Sequence, residues 1–216
     1  MTTHTQTEAI IHLAEQRACT QSHWQRSFHT FGVHSGFGKL TLLNDDTLKG
    51  GHSFNYSFTE DRLILLLPIV GGLDYQHATQ SGFIEVGESQ FLSLPKGEKL
   101  TLINSYESEL INFVCVGWNY ADAPDNGCHS FDLDANKNKM NALPFFSIGK
   151  FAGRQDDVYT LRNPDKGVFA FVIEGAFELQ NRLLQPRDGL ALWNTSEVEF
   201  EALSEGAILL LIEPNL

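Results

Sequence analysis

The sequence predicts an all-β protein built from two copies of one strand unit. Short runs of Val, Ile, Leu and Phe alternate with Gly, Pro and Asn turns along nearly the whole chain of 216 residues. Sixteen Phe against two Met favour strands over helices. In the second half, Gly175 and the turn at 186–189 are spaced much as Gly71 and the turn at 95–97 are in the first. This spacing indicates an internal repeat.

The first half begins with an ambiguous segment. Residues 8–17 are as consistent with a short helix as with an edge strand. An aromatic stretch around Trp24 and Phe28 follows, and we expect it to be packed. Beyond it, apolar runs are separated by turn residues at a spacing typical of a sandwich or barrel. The predicted strands here are residues 39–43, 63–70, 73–77, 83–86, 90–94, 99–103 and 110–118.

A polar, turn-rich stretch separates the two halves. We predict a first domain at 1–120, a linker at 121–141 and a second domain at 142–216. Strand patterns resume in the second domain, including a mainly apolar run at 168–175 that predicts a buried strand and an alternating run at 197–202. The predicted strands here are residues 158–161, 168–175, 176–179, 182–184, 190–193, 197–202 and 208–212.

Charge and composition exclude several function classes. The net charge of −12 disfavours binding to nucleic acid or to an anionic membrane, because both need Lys and Arg. The start of the chain lacks the features of a signal peptide, and the longest apolar run, 63–70, is too short to span a bilayer. Three widely spaced cysteines fit no disulfide framework. We therefore expect a cytoplasmic protein.

Two spaced patterns carry a resemblance to a known family, the cupins. The first cupin motif reads Gly, five residues, His-x-His, three or four residues, then Glu. Gly51 is followed at that spacing by Ser57, Thr59 and Leu63. The frame of this motif is therefore present without its His and Glu residues.

The second cupin motif reads Pro-x-Gly-x-x-His-x-x-x-Asn. It resembles Pro95, Gly97, Leu100 and Asn104 of this chain. With the Leu-Leu-Asn-Asp-Asp segment at 42–46 and an apolar C-terminal half, nearly the whole chain resembles the pirin family. Pirins are bicupins that include bacterial quercetinase-like members. The resemblance implies two tandem cupin-type β-barrels, each a double-stranded β-helix.

The resemblance also locates the family's metal site. Pirin-type sites use two His from the first motif and a His and a Glu from the second. The matching positions here are Ser57, Thr59, Leu100 and Leu102. Hydroxyl and isobutyl groups do not supply the ligands that bind Fe, Mn, Cu or Ni. We therefore expect no metal and no other cofactor, and we do not expect the family's dioxygenase chemistry.

The same four positions mark a degenerate pocket in the first barrel. The further side chains expected to line it are Tyr56, Leu63, Phe91 and Asn104. Its interior is either a filled, dry core, which is the simpler outcome, or a metal-free pocket for a small apolar ligand.

Two histidines are the candidates for a substitute polar site. His52 precedes the first motif, and His77 lies on the strand after Gly71 and Gly72. A displaced metal site would need three or four converging ligands, so local hydrogen bonding is the favoured interpretation of both residues.

The sequence leaves three hypotheses about function. The favoured one is a degenerate, non-catalytic bicupin that binds an unidentified small molecule or protein partner. The alternative is a quercetinase-like dioxygenase with a rearranged metal site. A metal-independent isomerase or sugar-modifying cupin would need a His–Asp or Tyr pair inside a barrel, and no such pair can be placed from the sequence. Exposed edge strands would allow a homodimer.

Overall fold

The computed structural model of the chain describes residues 7–32, 35–78, 80–119, 127–163 and 167–214. Within these ranges the regular structure is β-strand, apart from one 3-10 turn at Ala14–Gln16. This confirms the prediction of an all-β protein. No helix of the described residues is long and apolar enough to cross a membrane.

Twenty-one strands make up the described fold. In chain order they are β1 (Ala9–His12), β2 (Ala18–Gln21), β3 (Gln25–His29), β4 (Leu40–Leu48), β5 (His52–Ser57), β6 (Arg62–Val70), β7 (Leu73–His77), β8 (Gln80–Ile84), β9 (Glu88–Leu94), β10 (Lys99–Asn104), β11 (Ile111–Asn119), β12 (Gly127–Ser130), β13 (Lys139–Leu143), β14 (Phe146–Phe151), β15 (Asp156–Thr160), β16 (Val168–Glu174), β17 (Phe177–Leu179), β18 (Arg182–Leu184), β19 (Gly189–Leu192), β20 (Glu197–Ala202) and β21 (Ala207–Ile212).

The first unit comprises residues 17–131. A seven-stranded sheet in the order β12-β9-β6-β11-β4-β3-β2 and a four-stranded sheet in the order β5-β10-β7-β8 form it, and every pairing is antiparallel. Alternate residues of the two sheets meet in one apolar core that includes Ile64, Leu92, Leu100, Leu102 and Phe113. This is the packing expected of a small antiparallel barrel.

The second unit comprises residues 7–16 and 132–214 of the described chain. It repeats the two-sheet plan with a six-stranded sheet in the order β1-β19-β16-β21-β14-β13 and a four-stranded sheet in the order β15-β20-β17-β18. Phe151, Phe177 and Phe200 meet edge to face in its core, with ring centroids 5.1 to 6.1 Å apart. The internal repeat seen in the sequence therefore corresponds to two units of the same architecture.

The division between the units differs from the predicted one in two places. Residues 9–12 form an edge strand, one of the two alternatives left open for this segment, but they belong to the second unit and not to the first, because β1 pairs with β19. The predicted linker 121–141 also contains two strands: β12 extends the sheet of the first unit at β9, and β13 that of the second at β14. β12 alternates between half-buried and exposed residues, whereas β13 does not alternate strictly and exposes only Lys139 and Ala142. Residues 121–126 of the predicted linker lie outside the described residues.

Asp188 attaches the N-terminal segment to the second unit. Its carboxylate is almost fully buried and accepts hydrogen bonds from the backbone N–H of Ala14 at 2.7 Å and of Gln185 at 2.8 Å. A buried carboxylate that satisfies two backbone donors contributes more than a neutral hydrogen bond would. The turn before β19 and the segment after β1 are thus held by one side chain.

Asp188→Ala should lower the free energy of unfolding by about 2–4 kcal/mol, because two buried N–H groups lose a charged acceptor. Hydrogen exchange should speed up in β1 and β19 and stay unchanged in β9 and β11. Asp156→Ala, which removes an exposed carboxylate from the same unit, should change stability by no more than about 0.5 kcal/mol. Equal acceleration of exchange in the first unit would contradict the assignment of this segment.

Candidate functional site: the interior of the first barrel

The two strands that carry the motif frames lie side by side. β5 and β10 pair antiparallel, so that Tyr56 lies opposite Leu100 and Ser57 opposite Lys99. The exposure of β5 alternates strictly along its length. Because successive side chains of a strand point to opposite faces, only one of each neighbouring pair can face the barrel interior.

The structure does not bring the four predicted metal-site positions together. Leu100 and Leu102 are 0% exposed and lie in the apolar core of the first unit. Ser57 and Thr59 are exposed. The inner positions beside the two leucines are taken by the neighbouring residues of the first motif, one position away. The motif spacing is therefore kept, but its two hydroxyl residues do not line the interior.

Aromatic rings occupy the inner positions of the first motif. Phe54, Tyr56 and Phe58 pack against the core. Tyr56 stacks on Phe58 with ring centroids 5.7 Å apart, and Phe54 stacks on Phe113 at 6.2 Å. The guanidinium of Arg62 lies 5.4 Å from the centroid of Phe58. Stacked rings and leucine side chains thus fill the space between β5 and β10.

Three of the four further residues predicted to line the pocket lie outside the barrel interior. Leu63 and Phe91 are buried but lie outside the core cluster of this barrel, on the faces of β6 and β9 opposite to Ile64 and Leu92. Asn104 is fully buried, and its side chain donates to the carbonyls of two other residues and accepts from a backbone N–H. It therefore closes the turn after β10. Of the four, only Tyr56 contacts the predicted interior.

The two candidate histidines lie apart. His52 donates from Nδ1 to the carbonyl of Gly50 at 2.7 Å and stacks on Trp24 at 5.7 Å. His77 is buried opposite Leu100, and its Nε2 contacts the carboxylate of Glu98. Their partners on β10 are four residues apart, or about 13 Å along the strand. The part of the chain that the structure describes contains no group of three His, Cys, Asp or Glu side chains able to hold a metal ion.

A buried polar network surrounds the hydroxyl of Tyr56. This hydroxyl donates to Asp46 Oδ2 at 2.8 Å and accepts from Asn44 Nδ2 at 2.8 Å. Asn44 Oδ1 lies 2.9 Å from Nδ1 of His29, whose Nε2 lies 2.9 Å from the hydroxyl of Thr20. A continuous chain of hydrogen bonds thus leads from the fully buried Asp46 to the exposed Thr20. The Asn-Asp-Asp triplet at 44–46 is the sequence signal for this network, but the pattern predicts a strand that ends at residue 43 and a turn at 44–46, whereas β4 continues to Leu48.

Asp46 forms no ion pair with any of the described residues, unlike its neighbour. Asp45 pairs with Arg17 at 3.4 Å and accepts from Asn112 at 2.7 Å. Burial raises the pKa of Asp46 to about 6, although the hydroxyls of Ser27 and Tyr56 partly lower it. Asp46 Oδ1 makes no hydrogen bond of ordinary geometry. Burial also raises the pKa of Tyr56 well above its usual value, which keeps its hydroxyl a donor.

Comparisons with known proteins agree with this architecture. Residues 130–213 match the family model described as the quercetinase C-terminal cupin domain. The chain is 22% identical over 227 residues to a protein of Escherichia coli (strain K12) named quercetin 2,3-dioxygenase, which covers 93% of this chain and 96% of that protein.

Solved structures show the same fold. YhhW from Escherichia coli superposes with a TM-score of 0.80 at 19% identity, covering 97% of this chain and 99% of that one. A structure described as bacterial pirin YhhW in complex with nickel(II) gives 0.79, also at 19% identity, and covers 97% and 100%. Quercetin 2,3-dioxygenase from Acinetobacter baumannii gives 0.69 at 13% identity, covering 97% and 86%. These likenesses confirm the tandem cupin fold.

Thiol labelling tests which residues face the interior. In a Cys19→Ser, Cys128→Ser background, Ser57→Cys should react with a soluble thiol reagent in the native state, because position 57 is exposed. Leu100→Cys should react only on unfolding, as should the native Cys115, which is 0% exposed. Native-state protection of the thiol at position 57 would instead place the motif in the family's arrangement.

The pH dependence of stability tests Asp46. Because its pKa is raised from 3.8 to about 6, the folded state holds its proton more tightly, and stability falls as pH rises from about 4 to 6. Asp46→Asn should remove this fall and raise the free energy of unfolding at pH 7 by about 3 kcal/mol. Urea unfolding between pH 4 and 7 measures both effects. Asp45→Asn should do the opposite and cost about 3 kcal/mol, because it breaks the buried ion pair with Arg17; destabilisation of similar size in both variants would contradict the assignment.

Proposed function

We propose that this chain, a bicupin of the pirin family, acts as a metal-free binding module and not as a quercetinase-type dioxygenase. The observation that carries the proposal is the filled interior of the first barrel. Leu100 and Leu102 are fully buried at the positions matching two of the family's ligands, and Tyr56 occupies the space opposite Leu100. The other two matching positions, Ser57 and Thr59, face outwards.

The residues present do not fit the family's metal. A first-row transition metal needs imidazole or carboxylate groups that converge on one point. The four matching positions supply hydroxyl and alkyl groups, and only the outward-facing pair carries oxygen atoms. A cation at the centre of the barrel would therefore be surrounded by leucine and aromatic side chains, an environment that penalises unpaired charge strongly. No catalytic step through a metal is proposed.

A binding module with a filled first barrel has its outer surface available for a ligand. With the interior of the first barrel packed, a small molecule or a protein partner would bind on the outer faces of the sheets. The acidic charge of −12 supports a partner other than nucleic acid or an anionic membrane. The exposed thiols of Cys19 and Cys128 are free, which supports a reducing, cytoplasmic location. A homodimer through exposed edge strands remains part of the proposal.

The alternative, a dioxygenase with a rearranged site, has one observation in its favour. The relatives named quercetin 2,3-dioxygenase align with almost the whole chain. Such a site would have to start from His77 and Glu98, the one His–carboxylate contact described near the barrel interior. It would need at least one more ligand that the described residues do not place there.

Metal analysis decides between these two functions. Protein produced in medium supplemented with Ni, Fe, Mn and Cu and purified without chelator should hold less than about 0.1 metal ion per chain. It should consume quercetin no faster than the buffer. The Escherichia coli relative named quercetin 2,3-dioxygenase, prepared in the same way, is the matched positive control. Near-stoichiometric metal with quercetin turnover, both abolished by His77→Ala, would establish the alternative.

A further inference from the structure

The four-stranded sheet of the first unit carries a mixed aromatic and polar outer face. Phe83 on β8 lies opposite Asp74 on β7, which lies opposite Ile103 on β10. In the next outward-facing row, Gln76 lies opposite Ser81. These side chains alternate with the core residues of the same strands and therefore point away from the core.

A groove of about 390 Å³ runs along this face, and we call it the Phe83 groove. The residues that line it are Asp74, Tyr75, Gln76, Ser81, Gly82, Phe83, Ile103 and Ser105. It lies entirely within the first unit. Asp74 is its single charged residue, and no Lys or Arg lines it. The groove thus combines one aromatic platform with polar groups of both donor and acceptor type.

The ring of Phe83 packs against the backbone of Gly72, which has no side chain to displace it. The ring of Phe83 is 49% exposed yet lies directly over Gly72, where a Cβ atom would sit 2.1 Å from Phe83 Cζ. Gly82 leaves similar room for Tyr75, since a Cβ there would lie 2.9 Å from Tyr75 Cε1. A large exposed ring that rests on backbone is ordered before any ligand arrives, which lowers the entropic cost of binding.

The polar side chains that line the groove are available to a ligand. The side chains of Asp74, Gln76, Ser81 and Ser105 make no hydrogen bond or ion pair with other described residues. They comprise one carboxylate, one carboxamide and two hydroxyls within one groove. Solvent satisfies them in the free protein, so a ligand can replace water there at little cost if it offers several donors and acceptors close together.

From this arrangement we infer that the Phe83 groove binds a neutral saccharide. One face of a pyranose ring consists of C–H groups, which pack on the exposed ring of Phe83. Its hydroxyls are each donor and acceptor, which suits the carboxylate of Asp74 and the carboxamide of Gln76. This inference rests on the proposed function, because it specifies the ligand of a non-catalytic binding module.

Other ligand classes fit the groove less well. An anion would meet the Asp74 carboxylate with no Lys or Arg among the lining residues to offset it. A flat apolar molecule would desolvate the polar groups without satisfying them. A small cation would use Asp74 and the Phe83 ring but leave Gln76 and both hydroxyls unused. Of these four classes, only a saccharide uses the aromatic and the polar groups together.

Saturation-transfer NMR with maltose, cellobiose and N,N′-diacetylchitobiose tests the inference on the full chain. At least one sugar should bind saturably with a Kd of about 1–10 mM, as a shallow open groove allows. Phe83→Leu should weaken binding at least tenfold and Phe83→Tyr should preserve it, because only the second keeps a ring. Gly72→Ala should also weaken binding, by displacing the ring that it supports. Val86→Ala removes another exposed apolar side chain close in sequence and should leave binding unchanged.

Unfolding temperatures of each variant separate lost binding from lost structure. Three results would overturn the inference: no saturable signal for any of the sugars up to about 50 mM, equal binding by the Leu and Tyr variants at position 83, or tighter binding of choline than of any sugar. These results are distinct from failure of the proposed function. A metal-free, inactive protein that binds none of these sugars would overturn the ligand assignment alone, whereas stoichiometric metal would overturn the function whatever the sugars do.

Discussion

The pairing of β5 with β10 is the constraint on which the candidate site depends. Once Tyr56 lies opposite Leu100, strand alternation decides the direction of every other side chain on these strands. Aromatic rings then face the interior, and Ser57 faces solvent. A shift of one residue would reverse this and expose the rings. The apolar contribution of those rings to the core holds the register, and the register in turn excludes the motif's hydroxyls from the interior.

The buried network is a consequence of the same register. An inward-facing tyrosine brings its hydroxyl into an apolar interior, where it needs partners. Asn44 and Asp46 provide them from β4, and His29 continues the chain of hydrogen bonds towards the surface. The pKa of the Asp46 carboxyl is raised as a result, because burial raises it more than the hydrogen bonds from the surrounding hydroxyl groups lower it. Structure and electrostatics of the interior therefore follow from one strand pairing.

Much of the fold could be predicted from the sequence, and less of the site. Turn residues and apolar runs are local signals, so the strands and the repeat were accessible. Motif spacing predicted that Leu100 and Leu102 lie in the interior, and both do. Spacing alone does not say which side of β5 faces inwards, however, and Ser57 faces solvent. The Phe83 groove draws residues from three strands, and only the register of Asp74 between Phe83 and Ile103 brings them together. The sequence allowed an edge strand at residues 9–12 but did not indicate the unit to which it belongs, because its partner lies about 180 positions away.

The bond between Asp188 and Ala14 spans 174 positions of the chain. During synthesis, the β1 segment leaves the ribosome long before β19, its strand partner, which lies about 180 positions further along the chain. The unit of residues 17–131 can fold in the meantime, because its strands pair only with one another. The partly apolar β1 segment therefore stays without its strand partner until β19 has been synthesised. Completion of the second unit is a late closing step with a large loop entropy, which makes it the slow phase expected in refolding.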